Sequence, residues 1–220
     1  MEQYVTFSAG GLTLEGVFRQ PEASPPFPVV AVCHPHPLYG GDMHNSVVVA
    51  ICEGLAAAGM GALRFNFRGS GASQGSFGGG IEERIDVQAA LDYLERAPHV
   101  DGGRMGLAGY SFGALVALMA VDERARGVAA VSPPLAMQDL SGWELPCPSL
   151  FVFGADDAIA PAERLADIVL SLKGGHQRVI VPGADHFWWG REEAMTEAMT
   201  KEVVGFFQGI MGPGHTQNSG

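Results

Sequence analysis

Ser111 stands between two glycines in Gly109-Tyr110-Ser111-Phe112-Gly113, with a short apolar run (Met105 to Ala108) before it and an unbroken apolar stretch (Ala114 to Val121) after it. A serine at a strand-to-helix junction, with a glycine two residues to either side, spells a nucleophile elbow. The spelling has a steric cause. A chain that reverses from strand to helix in so few residues holds the serine in a strained backbone conformation, and a side chain at either glycine would clash with the neighbouring strand and helix. The turn lifts the hydroxyl above the sheet edge, beside a helix N-terminus whose unpaired N–H groups can hold a developing oxyanion. The chemistry is attack on a carbonyl. It requires a base for the serine proton, a carboxylate to orient that base, and a second N–H donor.

The elements that must position these groups follow from hydrophobic pattern. Tyr4 to Phe7 and Leu12 to Phe18 alternate around Ala9-Gly10-Gly11 and predict an antiparallel hairpin. The runs Val29 to Cys33, Ala62 to Phe67, Met105 to Ala108, Val128 to Val131, Ser149 to Phe153 and Gln177 to Val181 read as strands. Between them, helices are predicted over Ser46 to Gly59, Ile81 to Arg96 (apolar at 81, 85, 87, 91 and 94), Ala114 to Val121 and about Ala162 to Leu172, with a closing helix from Glu192 to Ile210. Strands alternating with helices give an α/β class: a mainly parallel sheet, an N-terminal antiparallel hairpin and helices on both faces. A single domain is expected over 1–211, with a polar tail over 212–220.

In such sheets ligands bind beyond the carboxyl ends of the strands. The partners of the elbow serine follow it in the order acid, then histidine. Of the seven histidines, His176, His186 and His215 come late enough. His215 lies in the tail and His176 enters a strand, whereas His186 leaves one, in Ala184-Asp185-His186-Phe187. His186 is the candidate base. Asp156 and Asp157 both follow the strand Ser149 to Phe153, and adjacent side chains there point in different directions, so one of the two orients the imidazole. Asp185 is too close in sequence to His186 to face its ring. One oxyanion donor is the N–H of Phe112. The second comes from the loop His34-Pro35-His36-Pro37-Leu38-Tyr39-Gly40-Gly41, where the prolines have no N–H and His36, Leu38 and Tyr39 remain. His34 and His36 could instead be a metal-binding pair, but no further His, Cys or acid cluster completes a site, and the expected metal and cofactor are none.

Taken together, HPHP-x-x-GG, RFNFRG-x-G-x-S-x-G, G-x-S-x-G and G-A-D-H-F resemble the α/β-hydrolase superfamily, and within it the small bacterial serine hydrolases. The resemblance covers Val5 to about Phe207. It implies an α/β-hydrolase fold and a Ser111, Asp157, His186 triad, because the superfamily's acid loop G-x-x-D-x-x-x-P matches Gly154, Asp157 and Pro161. Similarity to dienelactone hydrolase-like loops favours Leu38 as second oxyanion donor, whereas alignment with the superfamily's H-G-x loop favours His36. Arg68, in the R-G-x-G-x-S element, is expected to be structural. Where many members carry a long lid, this chain has only Ser132 to Pro148. That implies an open, shallow pocket suited to short-acyl esters, with Tyr39, Trp143 and Phe187 among its walls. The expected activity is a carboxylesterase. Thioesterase, dienelactone hydrolase-like, peptidase or acyltransferase activity on the same triad, or a non-catalytic binding protein of this fold, are the alternatives.

Composition excludes other classes. A chain of 220 residues with net charge −11 and a pI near 4.9 is repelled by nucleic acid and by anionic membranes. The expected partner is a small-molecule ester. The N-terminus lacks a basic n-region and an apolar h-region, and the three cysteines (Cys33, Cys52, Cys147) are an odd number without metal-ligand spacing. A cytoplasmic setting is expected.

Overall fold

Gly10 and Gly11 turn the first hairpin with φ of 57° and 87°, a two-residue turn whose twist matches that of the strands it joins. It pairs β1 (Glu2–Ala9) with β2 (Leu12–Arg19), from Ala9↔Leu12 out to Glu2↔Arg19. The computed structural model describes residues 1–135, 143–162, 169, 172, 175–188 and 192–212. Six further strands follow: β3 (Phe27–Cys33), β4 (Gly61–Phe65), β5 (Val100–Tyr110), β6 (Ala125–Val131), β7 (Ser149–Gly154) and β8 (His176–Val181). They form one sheet in the order β1-β2-β4-β3-β5-β6-β7-β8. The β1–β2 and β2–β4 pairings are antiparallel and all others parallel. Val29 to Cys33 are wholly buried, which is why β3 is spelled without alternation: both its faces are covered.

The covering helices are α1 (Ser46–Ala57), α2 (Glu83–Arg96), α3 (Phe112–Ala120) and α4 (Glu192–Met211). Val87, Leu91 and Leu94 of α2 and Leu115 and Val116 of α3 fill one core layer with Leu63, Phe65 and Leu107 of the sheet. Ile51 and Leu55 of α1 and Val203 and Phe207 of α4 fill the layer on the opposite face. Every residue of α3 except Met119 is buried, in keeping with its uniformly apolar sequence. The Asn45 side chain caps α1 through the Val47 N–H at 3.0 Å, and Gly59 follows its end at φ 83°. No helix among the described residues is long and apolar enough to cross a membrane. The predicted helix over about 162–172 and the tail lie largely outside the described residues.

The amphipathic pattern of residues 81–96 places Ile81 and Ile85 inward, and there the structure differs. α2 begins at Glu83, Ile81 and Ile85 are 69% and 47% exposed, and the inward positions of its first turn hold Glu83 and Asp86, both fully buried. The reason is hydrogen bonding. The loop leaving β4 brings backbone N–H groups and Arg68 into the interior, and they need acceptors. Asp86 receives the Arg68 N–H at 2.9 Å and its guanidinium at 2.7 to 3.1 Å, while Glu83 accepts the N–H groups of Gly78 and Gly80, each at 2.7 Å. Arg68→Ala leaves the Asp86 charge buried without its partner. It should cost about 3–5 kcal/mol in a urea-unfolding experiment.

Candidate active site

β5 ends at Tyr110 and α3 begins at Phe112, so Ser111 alone makes the reversal, at φ 52° and ψ −120°. A Cβ on Gly109 would lie 2.4 Å from the Gly113 carbonyl oxygen, and one on Gly113 would lie 2.3 Å from that of His34 and 2.5 Å from that of Cys33. Neither position admits a side chain. The Ser111 N–H donates to the Val131 carbonyl at 2.8 Å, and its carbonyl accepts from Leu115 at 3.1 Å, so both ends of the strained residue are held. The Phe112 N–H, at the first position of α3, has no intrahelical acceptor.

Three loops leaving β5, β7 and β8 converge on the hydroxyl. Ser111 Oγ lies 3.0 Å from His186 Nε2, and His186 Nδ1 lies 3.0 and 2.9 Å from the two carboxylate oxygens of Asp157. Asp157 and His186 are 3% and 6% exposed. The carboxylate fixes the tautomer: the Nδ1–H donates to it, which leaves the Nε2 lone pair toward the serine. Asp157 Oδ1 also accepts the N–H groups of Ile159 (2.9 Å) and Ala160 (2.6 Å). Burial pushes its carboxyl up, but the hydrogen bonds from His186 and the Ala160 N–H outweigh this and hold it below the ordinary aspartate value. The neighbouring Asp156 is exposed, and Asp185 accepts the Phe187 N–H at 3.0 Å within its own turn. Tyr110 is a residue the sequence reading passed over. Its hydroxyl donates to the His186 carbonyl at 2.7 Å and ties the histidine's loop to the central strand. Its place as the variable residue of G-x-S-x-G was the available signal.

The loop after β3 closes the site from the other side. The N–H of Leu38 is given to His36 Nδ1 at 3.2 Å and that of Tyr39 to the His36 carbonyl at 3.1 Å, whereas the His36 N–H has no partner among the described residues. The His36 ring packs at tilted angles among Tyr39, Phe77 and Phe112, at centroid distances of 4.7, 4.8 and 4.8 Å. Phe77 was not singled out by the sequence. Of the proposed pocket walls, Tyr39 is almost fully exposed, Phe187 is half exposed and meets the His186 ring edge-on at 5.5 Å, and Trp143 is half-buried against the α2/α3 core layer. Leu38 and Ile159, in the loops leaving the carboxyl ends of β3 and β7, add exposed apolar surface. Both nitrogens of His34 are committed, Nε2 to the Phe67 N–H (3.0 Å) and Nδ1 to the Pro35 carbonyl (2.6 Å). Among the described residues no group of three His, Cys, Asp or Glu is placed to hold a metal ion. Arg68 is spent on the Asp86 carboxylate and on Glu82, whose Oε2 accepts its guanidinium at 2.6 Å.

The sheet order, the elbow and the loops converging on Ser111 define an α/β-fold serine hydrolase. Residues 11–183 match the family described as X-Pro dipeptidyl-peptidase (S15 family), a span that includes Ser111 and Asp157 and stops short of His186; the chain belongs to this family. It is 37% identical over 204 residues, 87% of this chain and 84% of the relative, to an uncharacterized protein of Rickettsia prowazekii. Among solved structures it is similar to an alpha-beta serine hydrolase homologue from Coxiella burnetii (TM-score 0.82, 30% identity, 91% of this chain and 96% of that one). It is also similar to an a/b serine hydrolase without lid from Xanthomonas campestris (TM-score 0.80, 29% identity, 94% and 92%).

Burial of His34 lowers its ring from 6.5 to about 4. The unfolded chain therefore takes up a proton that the folded chain refuses, and stability falls as pH drops from 6.5 toward 4, by up to about 3 kcal/mol from this residue. Urea-unfolding free energies measured across that window should show this slope in the native chain and a flatter one in His34→Gln.

Proposed function

We propose that the chain hydrolyses small, short-acyl carboxylic esters through an acyl-enzyme, with Ser111 as nucleophile, His186 as general base and Asp157 as the acid that orients it. The observation that supports this reading is the unbroken run of hydrogen bonds from Ser111 Oγ through His186 to the Asp157 carboxylate. In the first step Oγ bonds to the carbonyl carbon while its proton passes to His186 Nε2. The carbonyl oxygen, now negative, is held by the Phe112 N–H and by one N–H of the β3 loop. Leu38 and Tyr39 spend their N–H groups inside that loop, so His36 is assigned as the second donor in place of Leu38. Collapse of the intermediate expels the alcohol, which takes the proton from His186. Water, activated by the same imidazole, then releases the acid and restores the serine.

Alcohols are favoured as leaving groups because an ester asks for less leaving-group protonation than an amide. The open side of the site, with Leu38, Tyr39, Ile159 and Phe187 exposed, favours short acyl groups over long chains that need an enclosed tunnel. No cofactor enters the scheme. The net charge of −11 argues against a nucleic-acid or anionic-membrane partner, and three free cysteines suit the reducing cytoplasm. Membership of the S15 family favours a second reading, a peptidase on the same triad.

The test compares p-nitrophenyl acetate, butyrate and laurate with X-Pro p-nitroanilides, alongside intact mass after fluorophosphonate treatment. Acetate and butyrate should be cleaved with higher kcat/KM than laurate or the anilides. Ser111→Ala should lose at least about 10³-fold in kcat together with the phosphonate adduct. Asp157→Asn should be crippled and Asp156→Asn active. Preferential cleavage of the anilides would move the assignment to the peptidase reading.

A further inference from the structure

His34 is buried, and the reaction scheme gives it no part. Its ring is fixed by both nitrogens: Nε2 accepts the Phe67 N–H at 3.0 Å, so the proton sits on Nδ1 and is donated to the Pro35 carbonyl at 2.6 Å. That carbonyl is walled on another side by Gly41, where a Cβ would come within 2.2 Å of the oxygen. The Pro35 C=O and the His36 N–H belong to one trans peptide plane and point in opposite directions. Fixing the carbonyl fixes where the N–H points. This N–H is also the one the loop leaves without a partner among the described residues, while those of Leu38, Tyr39, Gly40 and Gly41 are all used within the loop. The peptide lies beside the elbow, since the His34 carbonyl abuts Gly113 and the His36 ring packs, tilted, against Phe112.

We propose that His34 is a positioning residue of the oxyanion hole. Its Nδ1–H holds the Pro35 carbonyl, and so turns the His36 N–H toward the oxygen of a substrate carbonyl bonded to Ser111. The inference rests on the serine hydrolase reading given above. The donor is thereby set before substrate arrives, and no reorientation is needed as charge develops. The requirement is for a neutral ring. A protonated one would have no lone pair for the Phe67 N–H, and burial keeps the proton off until the pH nears 4.

Two substitutions divide the ring's contacts. The amide of Asn reaches the place of Nδ1, and the amide of Gln reaches that of Nε2. His34→Gln keeps an acceptor for Phe67 but loses the donor to Pro35. His34→Asn keeps the donor and loses the acceptor. On p-nitrophenyl acetate, His34→Gln should lower kcat by about 10- to 100-fold with KM changed less than about threefold, because the lost interaction acts on the transition state. His34→Asn should recover most of that loss. Thermal melts of both variants report whether the fold is kept. A role in stability alone predicts that activity follows the melting temperature, whichever contact is removed. Native-like kcat in His34→Gln, or losses in the two variants that simply track their melting temperatures, would overturn the assignment while leaving the hydrolase reading intact. A native chain that neither takes a fluorophosphonate adduct nor cleaves any ester would overturn both.

Discussion

The structure depends on a contact between bare stretches of backbone. The first turn of α3 lies against the last carbonyls of β3, with Gly113 touching the oxygens of Cys33 and His34, and it folds back onto Gly109 of its own strand. No side chain mediates the approach. The parallel registers Cys33↔Gly109 and Tyr110↔Val131 therefore become a fixed relation between the hydroxyl of Ser111, the N–H of Phe112 and the loop beginning at His34. A shift of one ångström in that contact would separate the Ser111 hydroxyl from the N–H groups beside it, and close packing on both faces of the sheet resists such a shift. The strain at Ser111 is sustained because the flanking strand and helix leave it no other conformation.

Interior polar groups hold the loops that frame this contact. Asp86 and Glu83 at the start of α2 are acceptors for the chain that leaves β4, and His34 links the end of β3 to Phe67 just beyond β4. Tyr110 does the same for the loop carrying His186. The N–H groups of Arg68 and Phe67 and the Tyr110 hydroxyl would otherwise be buried and unpaired, at a cost greater than the bond itself contributes. Rigidity at the site and hydrogen-bond satisfaction in the interior are thus one requirement.

Much of this was legible in the residues, and the divisions are physical. The elbow and the hairpin are read directly, because both rest on backbone conformations that few residues besides glycine permit. The parallel strands are read from continuous apolar spelling, though β5 runs further back than its apolar run, because Val100 to Arg104 are partly buried or exposed and carry no such spelling. Periodicity puts Ile81 and Ile85 inward because it weighs apolar character alone and has no means of knowing that neighbouring N–H groups need carboxylates. The choice between Asp156 and Asp157 is one of direction at a strand end, which the residues left open and a family motif had to supply. The β3 loop was the least legible. Which N–H remains available depends on bonds within the loop, above all on His36 Nδ1 occupying Leu38, and no spacing rule encodes that.

The groups around Ser111 are carried by parts of the sheet with unequal support. Ser111 leaves β5, which has a strand on each side, whereas His186 leaves β8, an edge strand bonded only to β7 and largely exposed along its length. Edge elements open at lower free energy than the interior of a sheet. Fraying of β8 would carry the imidazole away while the elbow, the buried α3 and both core layers stayed in place. Under the mechanism proposed above, heat or mild denaturant would then stop hydrolysis before unfolding the chain, and reclosure of one strand would be enough to restore it.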